Sequence, residues 1–139
     1  MKVASKSFVD TNVLIYAFST DSRYQEKAIK ILENHPFLST QVLTESANVC
    51  LKKLNFSPEK VVEFISQLEQ NTEVVTITPF IITKALHLHK AYRYSFYDSL
   101  ILSAALLSGC EILFSEDMQH EQIIEGLTII NPFFDFKSV

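Results

Sequence analysis

The fold is decided by a stretch near the start of the chain, Ser7-Phe8-Val9-Asp10-Thr11-Asn12-Val13-Leu14. Residues 7–9 have the pattern of a short strand, and the polar residues after them end it before one or two helical turns over residues 13–18. The same change from strand to helix recurs along the chain. Alternating strands and helices predict an α/β fold in which a mostly parallel sheet lies between two helical layers.

Working outward from this stretch, the pattern predicts a central sheet of five strands. The other strands are predicted at residues 37–38, 73–78, 111–114 and 127–130. Helices are predicted after Asp21 or Ser22, over residues 41–53, from Ser57-Pro58, over residues 79–92 and over residues 96–108. The last helix is apolar nearly all round and ends at Gly109, so we expect it to be buried.

Composition excludes several classes of protein. The 139 residues carry a net charge of −4 and no linker or repeat, so we expect a single domain over residues 1–139 without general attraction to nucleic acid. The two glycines, Gly109 and Gly126, cannot build a P-loop or a Rossmann glycine motif. Cys50 and Cys110 lack zinc or disulfide spacing and are expected to be buried thiols.

Apolar runs are too short for a membrane helix. The run of residues 13–18 is far below the roughly 20 residues that a bilayer needs, and no signal peptide is evident. We therefore expect a soluble, cytoplasmic protein without membrane contact.

Three acids occupy positions that favour chemistry. Asp10 follows the first strand, Asp117 follows the strand of residues 111–114, and ligands bind beyond the carboxyl ends of such strands. Asp98 lies in the first turn of the buried helix, where free N–H groups favour an anion. Each acid also has a purely structural interpretation: a turn or cap for Asp10 and Asp117, and a capping box with Ser95 for Asp98.

Other candidates have weaker local support. On a helical wheel Glu45 projects opposite the apolar stripe of its helix, Leu43, Ala47, Cys50 and Leu54, so a solvated position is the simpler interpretation. Glu116 has the same ambiguity beside Asp117. His120 is the histidine nearest the acids, and a structural role is the simpler interpretation for it too.

Together these residues resemble a known family. The stretch of residues 8–14 resembles the opening motif of PIN domains, and Tyr97-Asp98-Ser99-Leu100-Ile101 resembles their third acidic motif. Residues 40–49, around Glu45, resemble the second motif, and residues 113–120, around Asp117, resemble the fourth. The close of the chain, Ile130-Asn131-Pro132-Phe133, resembles that of many VapC-type toxins. The resemblance spans nearly the whole chain.

The resemblance implies a metal-dependent ribonuclease with a PIN-like fold, the toxin of a toxin-antitoxin pair. Asp10, Glu45, Asp98 and Asp117 would be the catalytic residues and would hold Mg²⁺ or Mn²⁺, since clustered carboxylates need a cation and hard oxygen ligands suit these ions. Supporting roles would fall to a further set: Thr11, Asn12, Ser115 and Glu116. RNA is the implied substrate, and a small antitoxin and a second copy of the chain are the implied partners.

Two features depart from the family pattern. Glu121 stands where many relatives have glycine, which affects the loop after Asp117. The chain also lacks a basic stripe, and the nearest phosphate-contacting set also has the pattern of a solvated helix surface: Lys52, Lys53, Lys84, Lys90 and Arg93.

Two alternative functions stay open. A phosphatase with an aspartyl nucleophile also places Asp after the first strand, but it needs a second Asp where this chain has Asn12. A non-catalytic module that binds metal or RNA would keep the fold without the activity. The homodimer is expected to form through apolar helix faces near the N-terminal half.

Overall fold

The structure, a computed structural model, describes the backbone of residues 5–138 and the side chains of residues 5–136. The strands are β1 (Ser7–Val9), β2 (Phe37–Ser39), β3 (Glu73–Val75), β4 (Ile112–Phe114), β5 (Ile123–Ile124) and β6 (Leu127–Ile130). The α-helices are α1 (Thr11–Ile15), α2 (Ser22–Glu33), α3 (Thr40–Lys52), α4 (Pro58–Asn71), α5 (Pro79–Tyr92) and α6 (Phe96–Leu107). Two 3₁₀ turns span Tyr16–Phe18 and Phe134–Ser138.

The strands form one sheet in the order β3-β2-β1-β4-β6-β5. All neighbouring pairs are parallel except β5 with β6, and Val9 of β1 is in register with Phe114 of β4. The chain moves outward from β1 on one side through β2 and β3, then returns to add β4 on the other. The order therefore reverses between β1 and β4, and the carboxyl ends of these strands flank the crevice where such sheets bind ligands.

Helices cover both faces of the sheet at its centre. Neighbouring residues of a strand point to opposite faces, and Phe8 and Val9 of β1 are both fully buried. Helix α6 is buried along Ser99–Ala105, as its apolar composition predicts. The three-layer α/β/α architecture expected from the sequence is confirmed.

The sheet has six strands rather than five, because the antiparallel β5 was not recognised. Glu125 and Gly126 join β5 to β6, with φ of 49° and 88°. Positive φ at both central residues matches the twist of a two-residue hairpin, for which Asn-Gly or Asp-Gly is the usual signal. Here glutamate precedes the glycine, so the sequence carries only half of that signal.

Two further predictions were wrong in detail. Strand β3 ends at Val75 rather than residue 78, because the Ile77 N–H donates to Thr40 Oγ1 and Thr78 caps α5. The buried side of α3 is Val42, Ser46 and Cys50, so its inward stripe differs from the predicted one although Cys50 belongs to both.

Several local signals were interpreted correctly. Asp21, Ser57 and Ser95 cap α2, α4 and α6 through their side chains, and Gly109 adopts a φ of 76° just after α6. Both cysteines are buried free thiols. Among the described residues, no helix combines the length and apolar character that crossing a bilayer requires.

Candidate active site

Asp10 joins the ends of the two central strands. It caps α1, and its Oδ1 accepts a hydrogen bond from the Thr11 N–H at 2.7 Å. Its Oδ2 accepts from the Ser115 hydroxyl at 3.0 Å, and its own N–H donates to the Phe114 carbonyl at 3.0 Å. Asp10 is 9% exposed, and the hydrogen bonds from Thr11 and Ser115 fix the orientation of its carboxylate.

Burial gives Asp10 an unusual proton affinity. It raises the pKa of the carboxyl from 3.8 to about 7, although the hydrogen bonds from Thr11 and Ser115 act to lower it. Negative charge on Asp98 and Glu45 raises this pKa further. Asp98 and Glu45 are therefore close enough to Asp10 to affect it electrostatically.

Asp98 stands at the N-terminus of α6, as predicted. Its N–H donates to the Ser95 hydroxyl at 3.1 Å, which is the hydrogen bond of a helix cap. The side chain is half-buried; burial raises its pKa, the contact with Ser95 lowers it, and the charge of Asp117 raises it. The capping interpretation is thus correct for Ser95, and the Asp98 carboxylate lies in the electrostatic field of Asp117.

Asp117 and Glu116 follow β4 and have different surroundings. Asp117 is exposed and accepts a hydrogen bond at 2.5 Å from the Asn12 amide, so α1 holds two acids, one through its cap and one through Asn12. Glu116 is partly buried, and both of its oxygens accept from the Tyr16 hydroxyl, at 2.8 and 3.0 Å. Burial and this carboxylate raise the pKa of Tyr16, which therefore stays protonated and donates to Glu116.

Glu45 is exposed on α3 and is tied to α6 through Gln41. The Gln41 amide donates to Glu45 Oε1 at 2.8 Å and to the carbonyl of Tyr97 at 3.1 Å. The helical wheel correctly predicts exposure of Glu45. Although Glu45 is exposed, it lies near another of the acids, because Gln41 links Glu45 to Tyr97, the residue that precedes Asp98.

The donors have the chemistry that a hard divalent cation prefers. Charges on Asp98 and Glu45 act on Asp10, and the charge of Asp117 acts on Asp98. The buried Thr11 Oγ1, next to Asp10, has no hydrogen-bond partner among the described residues. Within residues 5–138, however, no three side chains of His, Cys, Asp or Glu stand close enough to enclose one ion directly. A cation held by all four acids would need bridging water or rotation of the exposed acids, Glu45 and Asp117.

His120 has a structural role. Its Nδ1 accepts from the backbone N–H of Asn131 at 2.9 Å, and its ring stacks on Phe134 with centroids 4.3 Å apart and planes inclined by 18°. Glu121, in the place of the glycine of many relatives, adopts a φ of 69°. The loop thus keeps a left-handed residue there, at the conformational cost that glycine would avoid.

Sequence reasoning missed residues that hold the Asp117 loop. The Tyr94 hydroxyl accepts from the Gln119 N–H at 3.0 Å and donates to Gln122, linking this loop to the turn before α6. Asn131 is 6% exposed, and its Oδ1 accepts from the Phe133 N–H at 2.9 Å. The motif around Asn131 was a usable signal, whereas nothing near Tyr94 in the sequence indicates its contacts.

Of the five basic residues in the predicted phosphate-contacting set, one is already ion-paired and four are exposed. Lys84 Nζ pairs with Glu125 Oε1 at 2.7 Å, so its charge is already engaged. The other four are exposed, and within the described part of the chain they make no ion pair: Lys52, Lys53, Lys90 and Arg93.

A family model for the PIN domain matches residues 7–125, which include all four acids. The chain belongs to the PIN-domain family. Membership confirms the family resemblance of the sequence motifs. No curated protein matches this PIN domain.

Solved structures share the fold of this PIN domain. A toxin-antitoxin complex from Klebsiella pneumoniae is 22% identical, with a TM-score of 0.71 over 91% of this chain and 98% of that one. The sarcin-ricin loop cleaving toxin VapC20 from Mycobacterium tuberculosis is 20% identical, with a TM-score of 0.63 over 81% and 92%. VapBC2 from Rickettsia felis, bound to a DNA fragment from their promoter, is 19% identical, with a TM-score of 0.62 over 88% and 96%. The PIN domain thus has the fold of VapC-type toxins.

Proposed function

We propose that this PIN domain is a metal-dependent endoribonuclease and the toxin of a toxin-antitoxin pair. One observation carries the proposal: Asp10, buried at the point where the strand order reverses, has a pKa raised to about 7 and feels the charges of Asp98 and Glu45. Strongly perturbed carboxyls in such a crevice are typical of catalytic sites. PIN-family membership and the VapC-type fold support the same function.

The four acids have different proposed roles. Asp10, Asp98 and Asp117 would hold Mg²⁺ or Mn²⁺, and Glu45 would complete the site. A bound divalent cation supplies activation of water at neutral pH and stabilisation of the negative charge that develops on a phosphodiester. Ser115 and the Thr11 N–H fix the orientation of Asp10, and Asn12 orients Asp117.

Partners follow from the same comparisons. Two of the structural neighbours are a toxin-antitoxin complex and VapBC2, which supports a small antitoxin as partner. We also propose a cytoplasmic homodimer. Exposed apolar side chains occur in the N-terminal half, where the dimer interface was expected, and also on α5: Ile29, Leu51, Val62, Phe80 and Leu86. A monomer mass at micromolar concentration in light scattering would count against the dimer.

The test is cleavage of a mixed RNA pool by the pure protein, with and without Mn²⁺ or Mg²⁺. We expect metal-dependent cleavage that is lost in Asp98→Asn and kept in the control Asp21→Asn, whose asparagine also caps α2. Cleavage without metal, or full activity of Asp98→Asn, would overturn the assignment.

A non-catalytic module that binds metal or RNA is the second candidate. It is favoured by the spacing of the acids, since no three of them enclose an ion directly within the described residues. Binding of RNA without cleavage under any metal condition would support it. Release of phosphate from a phosphomonoester, abolished by Asp10→Asn, would instead support an aspartyl phosphatase.

A further inference from the structure

A groove of about 560 Å³ adjoins the acids between the start of α3, the segment after β3 and the start of α6. Its volume lies in the range of roughly 300–1,000 Å³ that is typical of small-molecule sites. The residues that line it include Gln41, Thr44, Glu45, Ile77, Tyr97 and Leu100. Glu45, of the proposed catalytic set, lines the groove, and Tyr97 directly precedes Asp98, so the groove shares one acid with the proposed site and adjoins a second.

Tyr97 is an unusual residue for a surface without a partner. It is 67% exposed, and its ring contacts Phe96 at an interplanar angle of 63° with centroids 5.6 Å apart. Large aromatic side chains at this exposure are more common at binding surfaces than elsewhere. The apolar Ile77 and Leu100 lie beside it, so a flat apolar ring would fit this groove better than a charged group would.

Gln41 adds a polar group to the same groove. Its amide nitrogen is engaged with Glu45 and with the Tyr97 carbonyl, whereas its Oε1 is buried without a hydrogen-bond partner among the described residues. An unpaired buried acceptor is costly, and each specific case in a native protein calls for an explanation. Because Oε1 is shielded from solvent, a ligand N–H in the groove would reach it only after the Gln41 side chain turned.

We propose that this groove binds one unpaired nucleobase of a single-stranded RNA, stacked on Tyr97 beside the phosphate that is cleaved. The proposal rests on the ribonuclease function above. A chain with a net charge of −4 and no basic stripe gains little affinity from phosphates, so base stacking has to contribute. Bases of single-stranded RNA can splay out and stack on aromatic side chains, whereas those of a duplex cannot.

The test uses an RNA whose cleavage site has been mapped with the wild-type protein and Mn²⁺. We expect Tyr97→Ala to lower kcat/KM about tenfold, the size of one stacking contact, and Tyr97→Phe to stay close to wild type. The control is Tyr92→Ala, which removes another exposed tyrosine, on α5, and should leave cleavage unchanged.

A second RNA, identical except for an abasic ribose beside the cleavage site, tests whether Tyr97 and the base act through the same contact. For the wild type, one abasic position should cost the same tenfold factor, and Tyr97→Ala should lose nothing further on that RNA. Two results would overturn the base subsite and leave the ribonuclease function intact. Tyr97→Ala could cleave the normal RNA as fast as the wild type does, or the loss from Tyr97→Ala and the loss from the abasic position could multiply when both are combined. A Tyr97→Ala variant that loses dimer mass in light scattering but keeps kcat/KM would assign the groove to a protein partner. Failure of the wild type to cleave any RNA would overturn the proposed function and this inference with it.

Discussion

Replacing Asp10 with asparagine should stabilise the metal-free protein at alkaline pH. The pKa of Asp10 is raised from 3.8 to about 7, so the folded state binds its proton more tightly than the unfolded state does. Between these two values the folded state carries more protons, and stability therefore falls as the pH rises through that window. At about 1.4 kcal/mol for each tenfold change in proton affinity, ionised Asp10 costs up to ~4 kcal/mol above pH 7.

Asparagine removes this cost and keeps hydrogen-bonding groups for Thr11 and Ser115. In urea unfolding with EDTA, Asp10→Asn should exceed the wild type by several kcal/mol at pH 8 and by almost nothing near pH 4. Asp21→Asn is the control, because its neighbour Arg23 lowers the pKa of Asp21, so the sign of any effect is opposite. Equal stability of Asp10→Asn and wild type at pH 8, or a difference that does not depend on pH, would refute the reasoning.

Three further predictions concern stability and are tested by urea unfolding. Ser46 is fully buried with an unpaired hydroxyl, so Ser46→Ala should be neutral or stabilising. Ser103→Ala should cost ~1 kcal/mol, because the Ser103 hydroxyl donates to a carbonyl at 2.7 Å. Equal effects of the two substitutions on stability would contradict this prediction. Gly126→Ala should cost ~1–2 kcal/mol through its φ of 88° alone, since no atom lies within 4 Å of the added carbon; a neutral result would count against the hairpin turn. Asn131→Ala should cost ~1–3 kcal/mol because it leaves a buried N–H unpaired, and no loss of stability would show that water replaces the amide.

Much of the fold could be predicted because local signals and burial agree. Strand β1 ends at Val9 because the next residue, Asp10, caps α1, and helix α4 begins at the predicted Ser57-Pro58 pair. Strand β5 was missed because its turn needs Glu125 in a left-handed conformation, which glutamate rarely adopts.

The candidate site could be predicted in part. Asp10, Asp98 and Asp117 were predicted as candidates from position, because the ends of parallel strands and the start of a buried helix favour anions. Glu45 could not be found in this way, since its proximity to the other acids depends on the Gln41 link between α3 and α6, a tertiary contact. The resemblance to the PIN-domain motifs, and not helical periodicity, made Glu45 a candidate site residue.

The central claim is that the acids at this edge of the sheet bind a divalent cation. Calorimetric titration of the metal-free protein with Mn²⁺ near pH 7 tests it most directly, comparing wild type, Asp98→Asn and Asp21→Asn. We expect binding by the wild type and by Asp21→Asn, with proton release from Asp10, and severe loss of binding in Asp98→Asn. Equal binding of Mn²⁺ by wild type and Asp98→Asn, or no binding by the wild type, would contradict it.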